Sequence, residues 1–186
     1  MILKLFKKNK AILKGHFILS SGNHSDTYLQ CALVLKEPKI AEYLGREIVK
    51  KLNFKVDKVI SPALGGIIIG YEVARALNKP FIFTERKNTI MMLRRGFKIG
   101  KGERYLIVED VITTGKSSLE VKEIVEKNGG IVVGFAAIVD RSNGKHLLPL
   151  EPVTLLKVNV NIYNPSECPL CKKGIPAVKP GSRNNE

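Results

Sequence analysis

The chain has 186 residues, 44% of them apolar and 26% charged, the balance of one globular domain and not of a disordered or fibrous chain. Lys and Arg number 31 against 17 Asp and Glu, a net charge of +14 that suits anionic partners: nucleic acid, a membrane surface or phosphorylated small molecules. The longest uncharged stretch of note, Val59 to Tyr71, falls short of the ~18 residues of a membrane span, the N-terminus shows no signal peptide, and three cysteines make no disulfide scaffold, so a cytoplasmic protein is expected.

In chain order, segments 2–14 and 39–52 read as amphipathic helices, the second with Ile40, Leu44, Ile48 and Leu52 at every fourth position. An alternation follows. Lys58–Ile60 is a short strand, 64–77 a helix ending at Asn78-Lys79-Pro80, and Phe81–Phe83 a strand. Arg104–Val108 is another strand, Thr114–Asn128 a helix closed by Gly129-Gly130, and 131–139 a strand. Strands that are apolar throughout and separated by helices predict a parallel sheet buried on both faces. Right-handed crossovers make it a doubly wound α/β fold, a mainly parallel sheet with flanking helices. Ligands in such sheets sit at the carboxyl ends of the strands, which directs attention to the loops after 60, 83, 108 and 139.

Residues 106–117 read LIVEDVITTGKS. An apolar strand runs into two adjacent carboxylates, Glu109 and Asp110, and a Thr-Thr-Gly turn leads into a helix near Lys116-Ser117. Backbone N–H groups at the turn, with the hydroxyls of Thr113, Thr114 and Ser117, form a phosphate cradle, and Gly115 lets the backbone approach the anion. Carboxylates beside such a cradle must face something other than the anion: sugar hydroxyls, or a Mg²⁺ bound with them. A strand ending in an acidic helix cap is the plainer alternative. GxxxxGK[ST] is absent, so the loop is not a P-loop.

IVEDVITTGKS resembles the phosphoribosyl-diphosphate motif of the type I phosphoribosyltransferases, and more of the chain resembles the branch of that family that uses orotate. FILSSGNHSDTY (17–28) is similar to its N-terminal segment, SPALGGIIIG (61–70) to its diphosphate loop and IVDRSNG (138–144) to its Asp-Arg loop. The resemblance implies one phosphoribosyltransferase domain over 1–186, with 1–36 and about 145–186 contributing a hood and tail. It also implies the activity: transfer of the 5-phosphoribosyl group from 5-phospho-α-D-ribose 1-diphosphate to orotate, with Mg²⁺ held mainly through the donor, in pyrimidine synthesis. Two rivals stand beside it, a transferase for another base and a non-catalytic nucleic-acid-binding regulator on the same fold.

Carried over residue by residue, the resemblance assigns the ribose 2- and 3-hydroxyls to Glu109 and Asp110. The 5-phosphate goes to the wrap formed by Val111, Ile112, Thr113, Thr114, Gly115, Lys116 and Ser117. Ala63-Leu64 becomes a non-proline cis peptide that, with Gly65 and Gly66, turns N–H groups toward diphosphate. Thr113 and Arg141 contact orotate. Arg86 and Lys87 reach the diphosphate, partly across the interface of a homodimer with a shared active site.

The chain also departs from the family. Many members carry Lys where Ser20 and Gly65 stand here, and a further Lys and His in the loop near Ile90 and Met92. In place of that loop, Arg94 and Arg95 can take over the anion contact, or IMMLRRGF is a hairpin strand with its arginines in solvent. Cys168-Pro-Leu-Cys171 is a lone CxxC, and a four-cysteine zinc site needs two such pairs; a dimer partner could supply the second, or the pair could form a disulfide. His16, His24 and His146 lack ligand spacing and read as ordinary polar residues. Lysines 4, 7, 8, 10 and 14 lie over more than one helix face and read as solvated.

Overall fold

The computed structural model describes residues 1–19 and 21–180, so Ser20 lies outside the described residues. The helices are α1 (Ile2–Lys8), α2 (Ala32–Leu35), α3 (Pro38–Val49), α4 (Gly65–Leu77), α5 (Lys116–Lys127) and α6 (Pro169–Lys172). The strands are β1 (Ile12–Ile18), β2 (His24–Leu29), β3 (Lys58–Pro62), β4 (Phe81–Lys87), β5 (Ile90–Leu93), β6 (Arg104–Ile112), β7 (Ile131–Asp140), β8 (Val153–Lys157) and β9 (Ile162–Tyr163). The chain divides into two compact units, one made of Met1–Leu33 with the chain from Asn159 onward, the other of Val34–Val158.

The smaller unit is built on an antiparallel sheet of order β1-β2-β9. A helix over 2–14 was the expectation here, and the structure corrects it. The helix stops at Lys8 because Asn9 caps it and Lys10 turns into the left-handed region at φ 52°. Ile12–Ile18 then pairs with β2, Ile12 opposite Leu29 and Ile18 opposite His24. A lysine-dotted apolar stretch satisfies a helical stripe and a strand alternation alike, and the hairpin partner decides between them. The lysines at 4, 7, 8, 10 and 14 are all exposed, as a solvated surface requires.

The larger unit holds a six-stranded sheet of order β5-β4-β3-β6-β7-β8, parallel except for β5. Tyr105, Leu106, Ile107 and Val108 of β6 are fully buried. Their alternation sends Tyr105 and Ile107 to one face, where they pack with Val121 and Val125 of α5. Helices α3 and α4 pack on each other and against the sheet, with Leu44, Ile48, Ile69 and Val73 buried. Residues 145–158, expected with the tail, belong to this unit instead, because β8 adds to the sheet beside β7. No described helix is long and apolar enough to cross a membrane.

Candidate active site

Strands β3, β4, β6 and β7 run parallel, so their carboxyl ends share one edge of the sheet. Strand β6 continues to Ile112, four residues beyond the expected end, which puts Glu109 and Asp110 on the strand itself. Register then does the positioning. Ile112 lies opposite Asp140, and the Arg141 N–H donates to the Ile112 carbonyl at 2.9 Å. Arg141 therefore leaves β7 beside Thr113, and its Nε donates to Thr113 Oγ1 at 2.8 Å. These are the two residues expected at orotate. Arg141 is buried, 7% exposed, and Asp140 Oδ1 accepts from the Ser142 N–H at 2.8 Å.

Beyond Thr114, Gly115 opens α5 with φ +79° and no side-chain cap. A Cβ there would sit 2.7 Å from Leu148, so both the left-handed backbone and the contact require glycine. The uncapped first N–H groups of α5 are suited to an anion. The Lys116 N–H turns back to Thr114 Oγ1 at 3.3 Å.

The loop after β3 meets this edge from the other side. The Ala63–Leu64 peptide is cis, and the Ala63 N–H donates to the Thr84 carbonyl of β4 at 2.7 Å. A Cβ on Gly65 would lie 2.6 Å from Asp110 Oδ1, and one on Gly66 2.8 Å from the Val108 carbonyl. Glycines at both places let the start of α4 press against the carboxylate end of β6.

Burial and the neighbouring Asp110 charge hold the Glu109 carboxyl well above the usual range, offset in part by a hydrogen bond from buried Ser118 and by the Arg86 charge. Burial likewise raises Asp110, offset by backbone N–H groups and by Arg141. Arg86 pairs with Glu120 of α5, and its Nη1 donates to the Thr89 carbonyl at 2.7 Å. Lys87 is exposed. Ile90–Leu93 is the antiparallel partner of β4, and Arg94 and Arg95 both pair with Glu85. IMMLRRGF thus begins with the hairpin strand, and its two arginines, both partly exposed, pair with a carboxylate across it.

Residues 34–170 match the family model of the phosphoribosyl transferase domain. The chain belongs to the phosphoribosyltransferase family. An orotate phosphoribosyltransferase of Caldanaerobacter subterraneus subsp. tengcongensis is 52% identical over 183 residues, covering 98% of this chain and 96% of the relative. The crystal structure of orotate phosphoribosyltransferase from Aeropyrum pernix superposes with TM-score 0.72 at 28% identity, covering 85% of this chain and 94% of that one. An adenine phosphoribosyltransferase from Thermoanaerobacter pseudethanolicus also shares the fold, with TM-score 0.62 at 22% identity over 71% of this chain and 88% of that one. Architecture alone therefore does not choose the base within the phosphoribosyltransferases.

Sequence reasoning missed Ser118 and Glu120, which hold Glu109 and Arg86; their closeness to the TTG turn was the available signal. It also missed that His16 and His24 meet the CxxC pair. Their Nε2 and Nδ1 lie 2.8 Å apart, and Cys171 Sγ lies 3.3 Å from His24 Nδ1. A histidine on each side of the Ser-Gly-Asn turn was the signal, since a hairpin brings such positions together. His146 Nε2 lies 3.2 Å from Glu151.

Proposed function

We infer that the protein is an orotate phosphoribosyltransferase, joining orotate to 5-phospho-α-D-ribose 1-diphosphate to give orotidine 5′-phosphate and diphosphate in pyrimidine synthesis. The observation that carries this reading is the β6–β7 register, which couples the Arg141 guanidinium to Thr113 at the mouth of the phosphate cradle. A planar fork of donors suits the carboxylate and carbonyl edge of orotate, whereas a neutral purine offers it less. Near-full-length similarity to orotate phosphoribosyltransferases supports the same choice. Such highly charged substrates do not cross membranes unaided, which suits a cytoplasmic location.

In this mechanism the bond from the anomeric carbon to diphosphate breaks as the bond to the base nitrogen forms, with oxocarbenium character at the sugar. Glu109 and Asp110 accept from the ribose hydroxyls. Residues 111–117 hold the 5-phosphate on backbone N–H groups and hydroxyls, fixing the sugar. Backbone N–H groups at Leu64 and Gly65, with Arg86 and Lys87, receive the leaving diphosphate, while the Ala63 N–H stays on the Thr84 carbonyl and fixes the loop. Catalysis is positioning plus charge stabilisation, with no protein nucleophile. The donor set fits Mg²⁺ arriving with the donor: two adjacent carboxyls whose ionised forms are disfavoured by burial and by each other gain from a cation-bearing ligand. Bound with the donor, Mg²⁺ offsets the diphosphate charge.

Mixed with Mg²⁺, orotate and the phosphoribosyl donor, the protein should consume orotate absorbance with one diphosphate released per orotate. Absorbance that stays flat, with the donor intact, contradicts the reading.

The proposal includes a homodimer with shared sites. Leu64, Ile68 and Tyr71 expose apolar surface along the start of α4, at 76%, 45% and 56%, and Ile90 and Met92 do so on β5. Exposed apolar surface of that kind marks an interaction face. Sedimentation should give a dimer, and Ile68→Asp a monomer. Mixing Arg86→Ala chains with Asp110→Asn chains, each nearly inactive, should restore part of the activity through mixed dimers. No recovery after confirmed subunit exchange would assign Arg86 to its own subunit's site.

A further inference from the structure

We propose that His16, His24, Cys168 and Cys171 form a tetrahedral zinc site that staples the smaller unit, a role separate from the transferase chemistry. All four candidate ligand atoms lie within 4.8 Å of one another. Cys168 Sγ is 3.5 Å from His16 Nε2, and Cys171 Sγ is 3.8 Å from His16 Nε2 and 3.3 Å from His24 Nδ1. Zn–N bonds of ~2.0–2.1 Å and Zn–S bonds of ~2.3 Å in a tetrahedron require N···S separations of about 3.5 Å and an N···N separation of about 3.3 Å. The three sulfur distances bracket the first value. The two ring nitrogens, at 2.8 Å, need to part by only about 0.5 Å to receive an ion between them.

The local fold explains why these side chains converge. The β1–β2 register shifts between Lys14 and Phe17, so His16 and Phe17 are both buried although adjacent in the strand. His24 opens β2 opposite Ile18, and pairs on its other side with Tyr163 of β9. That pairing brings the tail back to the hairpin, and Cys168 then caps α6, whose one turn carries Cys171. The Val178 N–H donates to the His16 carbonyl at 2.8 Å, fastening the far side of the tail.

The protonation pattern also suits a metal. His16 Nδ1 lies 2.7 Å from the Ile175 carbonyl, an acceptor only, so Nδ1 carries the proton and Nε2 presents its lone pair to the cluster. A ligating histidine anchored through its other nitrogen to a backbone carbonyl is the usual outer support of a metal site. Cys168 is fully buried, and His16 and His24 are 3% and 8% exposed. Two thiolates would balance the two charges of the ion, so the buried cluster becomes neutral on metallation. Two sulfurs and two imidazoles in a tetrahedron favour Zn²⁺ among divalent ions. A disulfide between the cysteines would leave the two histidine nitrogens only each other to bond. A three-stranded sheet with short helices has little core of its own, which is where a metal staple adds most.

The test uses the full chain, expressed without a histidine tag and purified without chelator. Metal analysis should find about one zinc per chain, and Cys171→Ser or His24→Gln should remove most of it. Cobalt grown into the wild-type protein should show the visible bands of a tetrahedral thiolate site. A strong chelator should lower the melting temperature, and added Zn²⁺ should restore it; this arm needs no variant, so it stands even where a substitution prevents folding. Protein that carries no zinc, takes up neither Zn²⁺ nor Co²⁺, and reacts equally fast with a thiol reagent with or without added Zn²⁺ would overturn the proposal. So would a Cys168–Cys171 disulfide persisting under reducing purification. None of these readouts depends on turnover, so the zinc site and the orotate reading fail separately.

Discussion

Asp110→Asn should cost at least about tenfold in activity and, in the ligand-free enzyme, raise the melting temperature. The activity loss follows from removing the charge that accepts from the ribose hydroxyls, since a charge-assisted hydrogen bond contributes roughly 1.5–3 kcal/mol. The stability gain follows from burial, which raises the carboxyl's native-state titration above its ordinary value. A carboxyl raised in this way stabilises the fold when protonated and loses that contribution as pH rises through the native value. At pH 8 the ionised Asp110 therefore weighs against the native state, and Asn relieves it. The difference in melting temperature between variant and wild type should shrink as the pH is lowered through the raised value toward the ordinary aspartate range of roughly 4. Thermal scans across pH, paired with initial rates, check both halves. A variant that melts lower than wild type at pH 8, or that keeps full activity, would take Asp110 out of the assigned role.

Arg141→Ala should remove orotate binding and leave donor binding nearly intact. The guanidinium is buried and hydrogen-bonded to Thr113, so truncation leaves a bound anionic base facing a desolvated gap. Losing one partner of a buried charged contact costs roughly 2–5 kcal/mol, or about thirty-fold to a few thousand-fold in affinity. Calorimetry with each ligand alone separates the effects. Equal weakening of orotate and donor would make Arg141 a structural residue, and undiminished orotate binding would reopen the choice of base.

How much of this was legible in the chain depends on how local each feature is. The carboxylates, the TTG turn and the helix start lie within residues 106–117, so their chemistry could be read directly, and the run of apolar strands pointed to a buried parallel sheet. The end of β6 was less legible, because Glu109 and Asp110 look like loop residues until β7 pairs with them. Residues 12–18 defeated the periodicity argument because a partner strand, not local preference, settles their state. The histidine–cysteine cluster was hidden by distance: His24 and Cys171 are 147 positions apart. Arg94 and Arg95 could be read as anion ligands or as surface residues, and Glu85, across the hairpin, is what holds them.

On the proposed function, the Arg141–Thr113 pair beside the phosphate cradle selects an acidic pyrimidine base. The most direct test is diphosphate release at saturating donor, with orotate and adenine supplied in parallel at equal concentration. A site built around hydrogen bonds to its substrate discriminates by about 10⁴ or more against an analogue that leaves those groups unpaired. Rapid release is expected with orotate and only background release with adenine. Release with adenine equal to or faster than with orotate would contradict the proposed function.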